Sequence, residues 1–326
     1  MDFNEHETTP IELRDIRPSS FSHIIGQENA KEALQIAVDA SFHTGSRLGE
    51  LLVLGPPGLG KTALIQVVAE ELAVPFTEVL AQSITNTAEL NAMLLSASDG
   101  ILFLDELALL SPQLQHALLI VLDKRRIFLS GGKSIQSIPV APFTLVGATT
   151  DPDKLISPLV DRFRQVIHLD FYSNEELGKI IQQRCNALRW EYEPDVLCEI
   201  SKRARQTPRI ALRLLGAARR VAVAQGEDRI EVRHLQHACR IERISSRGLD
   251  NFQQKYVRLL GPSSQRLNVL ASLLGVTSTK VVSATIEPFL LRSGLVLKSD
   301  NGMRQLSESG REHLAEIEAE AIRFAV

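Results

Sequence analysis

Gly55-Pro56-Pro57-Gly58-Leu59-Gly60-Lys61-Thr62 follows directly on the apolar run Leu51-Leu52-Val53-Leu54 and opens a helical stretch, Ala63 to Leu72. This is the G-x-x-x-x-G-K-[ST] phosphate-binding loop in the strand–loop–helix setting that its chemistry requires. The backbone must curl round a phosphate with its N–H groups pointing inward, so Gly58 and Gly60 stand where a Cβ would block either a positive φ or the close approach. Lys61 supplies a point charge to the β/γ oxygens, Thr62 a hydroxyl ligand for Mg²⁺, and the dipole of the helix that the loop opens favours an anion. The loop therefore predicts a nucleotide site.

Working outward, strands and helices alternate. A short apolar segment, Ile24-Ile25-Gly26, turns into a helix over Glu28 to Thr44; Val74 to Leu80 reads as a strand and Ala88 to Ser98 as a helix. Ile101-Leu102-Phe103-Leu104-Asp105-Glu106 is a buried strand ending in two acids, and Gln113 to Leu122 is helical. Residues 126–140 form a hairpin with Gly131-Gly132 at its turn, and Phe143 to Thr150 is one more buried strand. This alternation predicts an α/β fold with a parallel sheet and a ligand at the carboxyl ends of its strands. After residue 173 helical periodicity takes over, giving an all-helical domain over 173–245. A third unit over 246–326 has three short helices, then Gly294 to Lys298, a polar turn and Arg304-Gln305-Leu306, the pattern of a winged helix. The large sheet domain occupies 1–172.

Length and composition suit this reading. The 326 residues exceed one ordinary core, and the 44% hydrophobic and 23% charged fractions are those of a soluble globular chain. Met1 to Pro10 is polar and acidic, unlike a secretion signal, and no apolar run approaches the length of a membrane span. Cys185, Cys198 and Cys239 are widely spaced and form no C-x-x-C, so they read as core residues of a cytoplasmic protein without a zinc site. The net charge of −3 gives no global pull toward nucleic acid, but Lys202 to Arg220 carries seven cations and no acid. That run is either a solvated helix face or a phosphate-contacting one.

At the catalytic end, Asp105 closes its strand as a Walker B acid would, holding the Mg²⁺ shell, while Glu106 orients and activates the attacking water. Thr150 ends the next strand, within reach of a γ-phosphate. Arg162 is the candidate arginine finger, acting at a neighbouring subunit's site, and Arg209 opens a helix from which it can read the γ-phosphate.

These motifs, together with Arg17-Pro18, Ile25-Gly26-Gln27, Pro142 to Thr150 (PFTLVGATT), Ser157-Pro158-Leu159, Asp161-Arg162-Phe163, Phe171-Tyr172, Thr207-Pro208-Arg209-Ile210-Ala211 and Glu287-Pro288-Phe289-Leu290, resemble the RuvB family of AAA+ motors that drive Holliday-junction branch migration. The resemblance runs from about Arg17 to Leu314. It implies ATP and Mg²⁺ as cofactors, DNA as substrate and a six-membered ring of subunits. By motif, Ile16, Arg17, Ile25 and Tyr172 border adenine and ribose, while Gly58, Gly60, Lys61, Thr62 and Ala63 hold the phosphates. Thr150 is sensor 1, Arg209 sensor 2 and Arg162 the finger in trans; Lys298 and Arg304 of the wing match positions that face DNA.

Departures stand beside the matches. Leu107-Ala108-Leu109 replaces a segment with a His-Arg pair, Val160 an arginine, and Gly132-Lys133-Ser134-Ile135-Gln136-Ser137 the hairpin tip that in the family docks on the junction-binding partner RuvA. An arginine-rich wing has thinned to Asn301-Gly302-Met303-Arg304. Hydrolysis is therefore expected, with altered coupling to RuvA and DNA. The alternative is a nucleotide-switched winged-helix assembly or regulatory protein that does not translocate.

Overall fold

A computed structural model describes residues 18–97, 99–131 and 134–323. The chain divides into two compact units, Met1–Tyr172 and Ser173–Val326.

The first unit is a five-stranded parallel sheet with strand order β2-β3-β6-β1-β7. Its strands are β1 (Leu51–Leu54), β2 (Phe76–Leu80), β3 (Ile101–Asp105), β6 (Thr144–Thr149) and β7 (Gln165–His168). The helices of this unit are α1 (Glu28–Thr44), α2 (Lys61–Glu71), α3 (Thr87–Ser96), α4 (Pro112–Lys124) and the single turn α5 (Ser157–Val160). β1, β3 and β6 are the three central strands, and their unbroken apolar runs are buried on both faces, as crossover helices require. β7 lies at an edge and alternates, with Ile167 buried and Val166 and His168 exposed, so its sequence carries no apolar run. Packing leaves no slack at Gly147 of β6: a Cβ there would lie 2.6 Å from Leu107 Cδ2 and 3.3 Å from Phe163 Cζ. The antiparallel hairpin β4 (Arg126–Gly131) and β5 (Ser134–Pro139) forms a separate two-stranded sheet, and the tip residues Gly132 and Lys133 lie outside the described residues.

The second unit begins with a helical layer: α6 (Asn174–Leu188), α7 (Pro194–Arg203), α8 (Pro208–Ala224) and α9 (Val232–Ile241). Two short strands, β8 (Glu191–Tyr192) and β9 (Arg229–Ile230), pair in parallel within it. A capping box of Ser173 and Glu176 fixes the start of α6, each side chain satisfying a backbone N–H of the other. The layer continues into α10 (Asn251–Leu260), opened by a further capping box of Asp250 and Gln253. Then come β10 (Gln265–Arg266), α11 (Leu267–Leu274), α12 (Thr279–Val281), a π-helical turn Val282–Ile286, α13 (Glu287–Arg292), β11 (Val296–Lys298), β12 (Met303–Leu306) and α14 (Glu308–Arg323). The ribbon β11–β12 is antiparallel, and β10 adds a third strand to it, completing a winged helix. The core of this part gathers Tyr256, Leu270, Val282, Leu290, Val296 and Ile317.

Polar links tie the two parts of the second unit. Arg205 Nε donates to Gly248 O at 2.6 Å and its Nη2 to Asp250 at 3.2 Å. The buried His313 bridges Ser245 Oγ at 3.0 Å and Glu316 at 2.8 Å.

Candidate nucleotide site

Sheet order assembles the site. β3, β6 and β1 are neighbours, with Leu104 in register with Gly147 and Leu54 with Thr149. The acids after β3, Thr150 after β6 and the phosphate loop after β1 therefore emerge side by side along one carboxyl edge. Gly58 and Gly60 have φ of 82° and 100°, and a Cβ on Gly60 would point into open space. The loop is thus a cradle whose concave side a side chain would fill, which fits a phosphate. Lys61 is buried at the start of α2, its Nζ donating to Gly55 O at 2.8 Å, so the ammonium lies across the loop. Thr62 and Ala63 occupy the next two positions of the first turn and are half-buried.

Glu106 takes a left-handed backbone, φ 54°, uncommon for a side chain of its size. Its N–H donates to Asp105 Oδ1 at 3.1 Å, and Thr150 Oγ1 donates to its Oε2 at 3.4 Å. The two acids and the threonine thus form one hydrogen-bonded group, with Thr149 buried beneath them. The donor set of Thr62 hydroxyl and Asp105 carboxylate suits a hard divalent cation.

Two positions that sequence reasoning left without a role hold this site in shape. Gln27, itself left-handed, donates from Nε2 to Asp170 O at 2.7 Å and accepts from Asp170 N at 3.0 Å. This double bond pins the segment of Ile24 and Ile25 to the one ending in Tyr172, whose phenol donates to Leu59 O of the phosphate loop at 3.2 Å. Ile16 and Arg17 lie outside the described residues. Arg162 extends from the turn after α5 with half its side chain exposed and grips Asp123 of α4 with two contacts, 2.6 and 3.0 Å. Arg209 is exposed in the first turn of α8.

Models of three domains match consecutively: the Holliday junction DNA helicase RuvB P-loop domain over residues 16–169, the RuvB AAA lid domain over 172–245 and the RuvB C-terminal winged helix domain over 246–315. The chain belongs to the RuvB family. It is a P-loop ATPase of the AAA+ class. The Holliday junction branch migration complex subunit RuvB of Prochlorococcus marinus (strain MIT 9303) is 36% identical over 318 residues, covering 94% of this chain and 90% of that one. The same subunit of Kosmotoga olearia is 33% identical over 324 residues, covering 96% and 92%. Among solved structures, the Thermotoga maritima RuvB Holliday junction branch migration motor aligns with TM-score 0.78 and 33% identity over 92% of this chain and 98% of that one. A single-residue mutant of the same motor aligns with TM-score 0.80 and 34% identity, over 92% and 99%.

The two cations of the RuvB wing differ in their surroundings. Lys298 stands exposed on β11, but Arg304, opposite it on β12, is turned inward. Its Nε and Nη2 bind the two carboxylate oxygens of buried Glu287 at 2.8 and 3.2 Å, and its Nη1 caps Gly302 O at 2.6 Å. Glu287 also accepts from the buried Tyr256 phenol. The carboxylate raises the Arg304 pKa, and burial chiefly, with Glu287, pushes up that of Tyr256. The guanidinium donors are thus engaged within the wing. The basic run is likewise largely engaged within the unit: Lys202 and Arg203 pair with Glu199, and Arg219 caps Asp228 O beneath the Trp190 ring.

Proposed function

We propose that this chain is the motor subunit of an ATP-driven branch-migration machine acting on four-way DNA junctions in recombination and repair, in the cytoplasm, as a hexameric ring. What carries the reading is the juxtaposition on one sheet edge of phosphate loop, Asp105–Glu106 and Thr150, in a chain whose candidate finger Arg162 stays half exposed. Lys61 and the loop amides bind the β/γ-phosphates, and Ile25 and Tyr172 border the base, with Ile16 and Arg17 preceding them in the chain. Thr62 and Asp105 would hold Mg²⁺, which when bound neutralises phosphate charge. Glu106, oriented by Thr150, accepts a proton from the attacking water, while Arg162 of an adjacent subunit stabilises charge in the transition state and Arg209 reports the γ-phosphate to the lid.

Lys298 supplies backbone contact to DNA. The hairpin offers the exposed apolar side chains Phe128 and Leu129 to a RuvA-type partner. Among the described residues no single helix is long and apolar enough to cross a membrane. The test is an ATPase assay with and without four-way junction DNA and a RuvA-type protein, on the wild type and Glu106→Gln. Turnover stimulated by junction DNA, with Glu106→Gln binding ATP but not cleaving it, is expected. Slow turnover indifferent to DNA favours a nucleotide-switched regulator, and normal hydrolysis by Glu106→Gln removes the assigned base.

A further inference from the structure

Within the second unit, where the end of α7 and its following turn face α13, lies an open pocket of about 400 Å³. Ten residues line it, among them Lys202, Arg205, Arg247 and Arg292, and none is a carboxylate. The cations are crowded by design of the chain. Arg205 and Arg292 both lie over the Phe289 ring, 5.3 and 5.5 Å from its centroid, and Arg292 Nη2 donates to Arg205 O at 3.2 Å. Arg205 and the adjoining Gln206 both hold left-handed backbone, φ 54° and 62°, which turns them toward the pocket rim at a conformational cost. The acids beside it sit outside the lining: Asp250 engages Arg205, Glu199 engages Lys202, and Glu316 accepts from Ser246 at 3.1 Å and feels the charge of Arg247. Arg205 Nη1, and Nε and Nη2 of Arg247, make no hydrogen bond to the described residues, so donors remain to spare. Burial lowers the pKa of Arg205 and of Arg292, the latter also through the charge of Arg205. Like charges brought together in a concave, partly desolvated site are relieved by a multivalent anion, and guanidinium forks match phosphate oxygens in pairs.

We propose that this pocket between lid and winged helix binds a phosphate dianion or polyphosphate, bridging Arg205 and Arg247 from one side and Arg292 from the other. Such an ion links side chains of the turn after α7, the connector before α10 and α13, and so stiffens the joint between them. The site lies apart from the phosphate loop and does not rest on the motor reading.

The experiment is calorimetric titration of the full chain with inorganic pyrophosphate at low salt, in a Lys61→Ala background that keeps the phosphate loop from taking the probe. One equivalent is expected to bind. Ser293→Glu places a carboxylate on the exposed rim without removing any arginine, and is expected to weaken binding by about tenfold or more, as is Arg247→Gln with Arg292→Gln. Replacing both arginines by lysine, which keeps the charge and loses the paired donors, should weaken binding less than replacing both by glutamine. Competition by a short single-stranded oligonucleotide identifies the phosphate as that of a nucleic acid backbone; absence of competition identifies a free ion. Heat uptake unchanged by Ser293→Glu, or no binding at all, overturns the proposal.

Discussion

Arg304 and Lys298 face each other across the wing, and the structure gives them opposite duties, which a pair of substitutions separates. Arg304→Met keeps an apolar stem but strands the Glu287 carboxylate, which is 3% exposed, with only the Tyr256 phenol as partner. Leaving one member of a buried ion pair uncompensated costs about 3–5 kcal/mol. Urea denaturation followed by tryptophan-independent far-UV signal should therefore show a markedly lower midpoint for the second unit. Replacing the whole group by Tyr256→Phe, Glu287→Leu and Arg304→Met removes the stranded charge together with its partners, and should recover most of the loss. Lys298→Ala, at an exposed position, should leave stability within about 0.5 kcal/mol. Binding to duplex DNA reports the other duty: log K against log salt flattens by about 0.9 for each lost phosphate contact, so Lys298→Ala should flatten it by about that much and the compensated triple variant should leave it unchanged. An Arg304→Met protein of wild-type stability whose salt slope has fallen would refute the inward assignment of Arg304.

Mixing Lys61→Ala with Arg162→Ala subunits, each inactive alone, should restore part of the ATPase activity, because an intact loop and an intact finger then meet at some interfaces; no recovery in any ratio would place Arg162 outside a shared site. Asp123→Asn should change stability by no more than about 1 kcal/mol, since its pair with Arg162 is largely exposed, a result readable from the thermal midpoint. Gly147→Ala should lower stability by about 1–3 kcal/mol, because the added methyl meets Leu107 and Phe163 in the core, measured by urea titration. Burial pushes the Cys185 thiol up to about 11 and leaves it protonated at neutral pH, so under native conditions a thiol reagent should modify exposed Cys198 rapidly and Cys185 and Cys239 only on unfolding.

The central sheet was legible because its chemistry is local. An apolar run followed by a glycine loop, or by two acids, writes strand and site into adjacent residues, and β1, β3 and β6 lie where those runs predict. β7 escaped because an edge strand needs only one buried face, and Gln165-Val166-Ile167-His168 shows no such run. The hydrogen bonds that shape the site also left no trace in the sequence: Gln27 meets Asp170 across 143 positions and Arg162 meets Asp123 across 39. The pairing of Arg304 with Glu287 was hidden for a related reason. A cation beside a glycine turn has the composition of an exposed wing, and the acid that pairs with it belongs to α13, 17 positions away in the sequence. The third strand of the wing, Gln265–Arg266, is polar and only two residues long, too short for periodicity to announce.

Tyr172 is the last residue of the first unit, and its phenol hangs from the carbonyl of Leu59 inside the phosphate loop. The very next residue, Ser173, caps the first helix of the second unit. The phosphate loop is thus hydrogen-bonded to the residue that stands one peptide bond before the second unit begins. Tyr172→Phe removes that one hydrogen bond and keeps the ring beside the nucleotide site, so it separates the hold on the loop from the packing of the aromatic face.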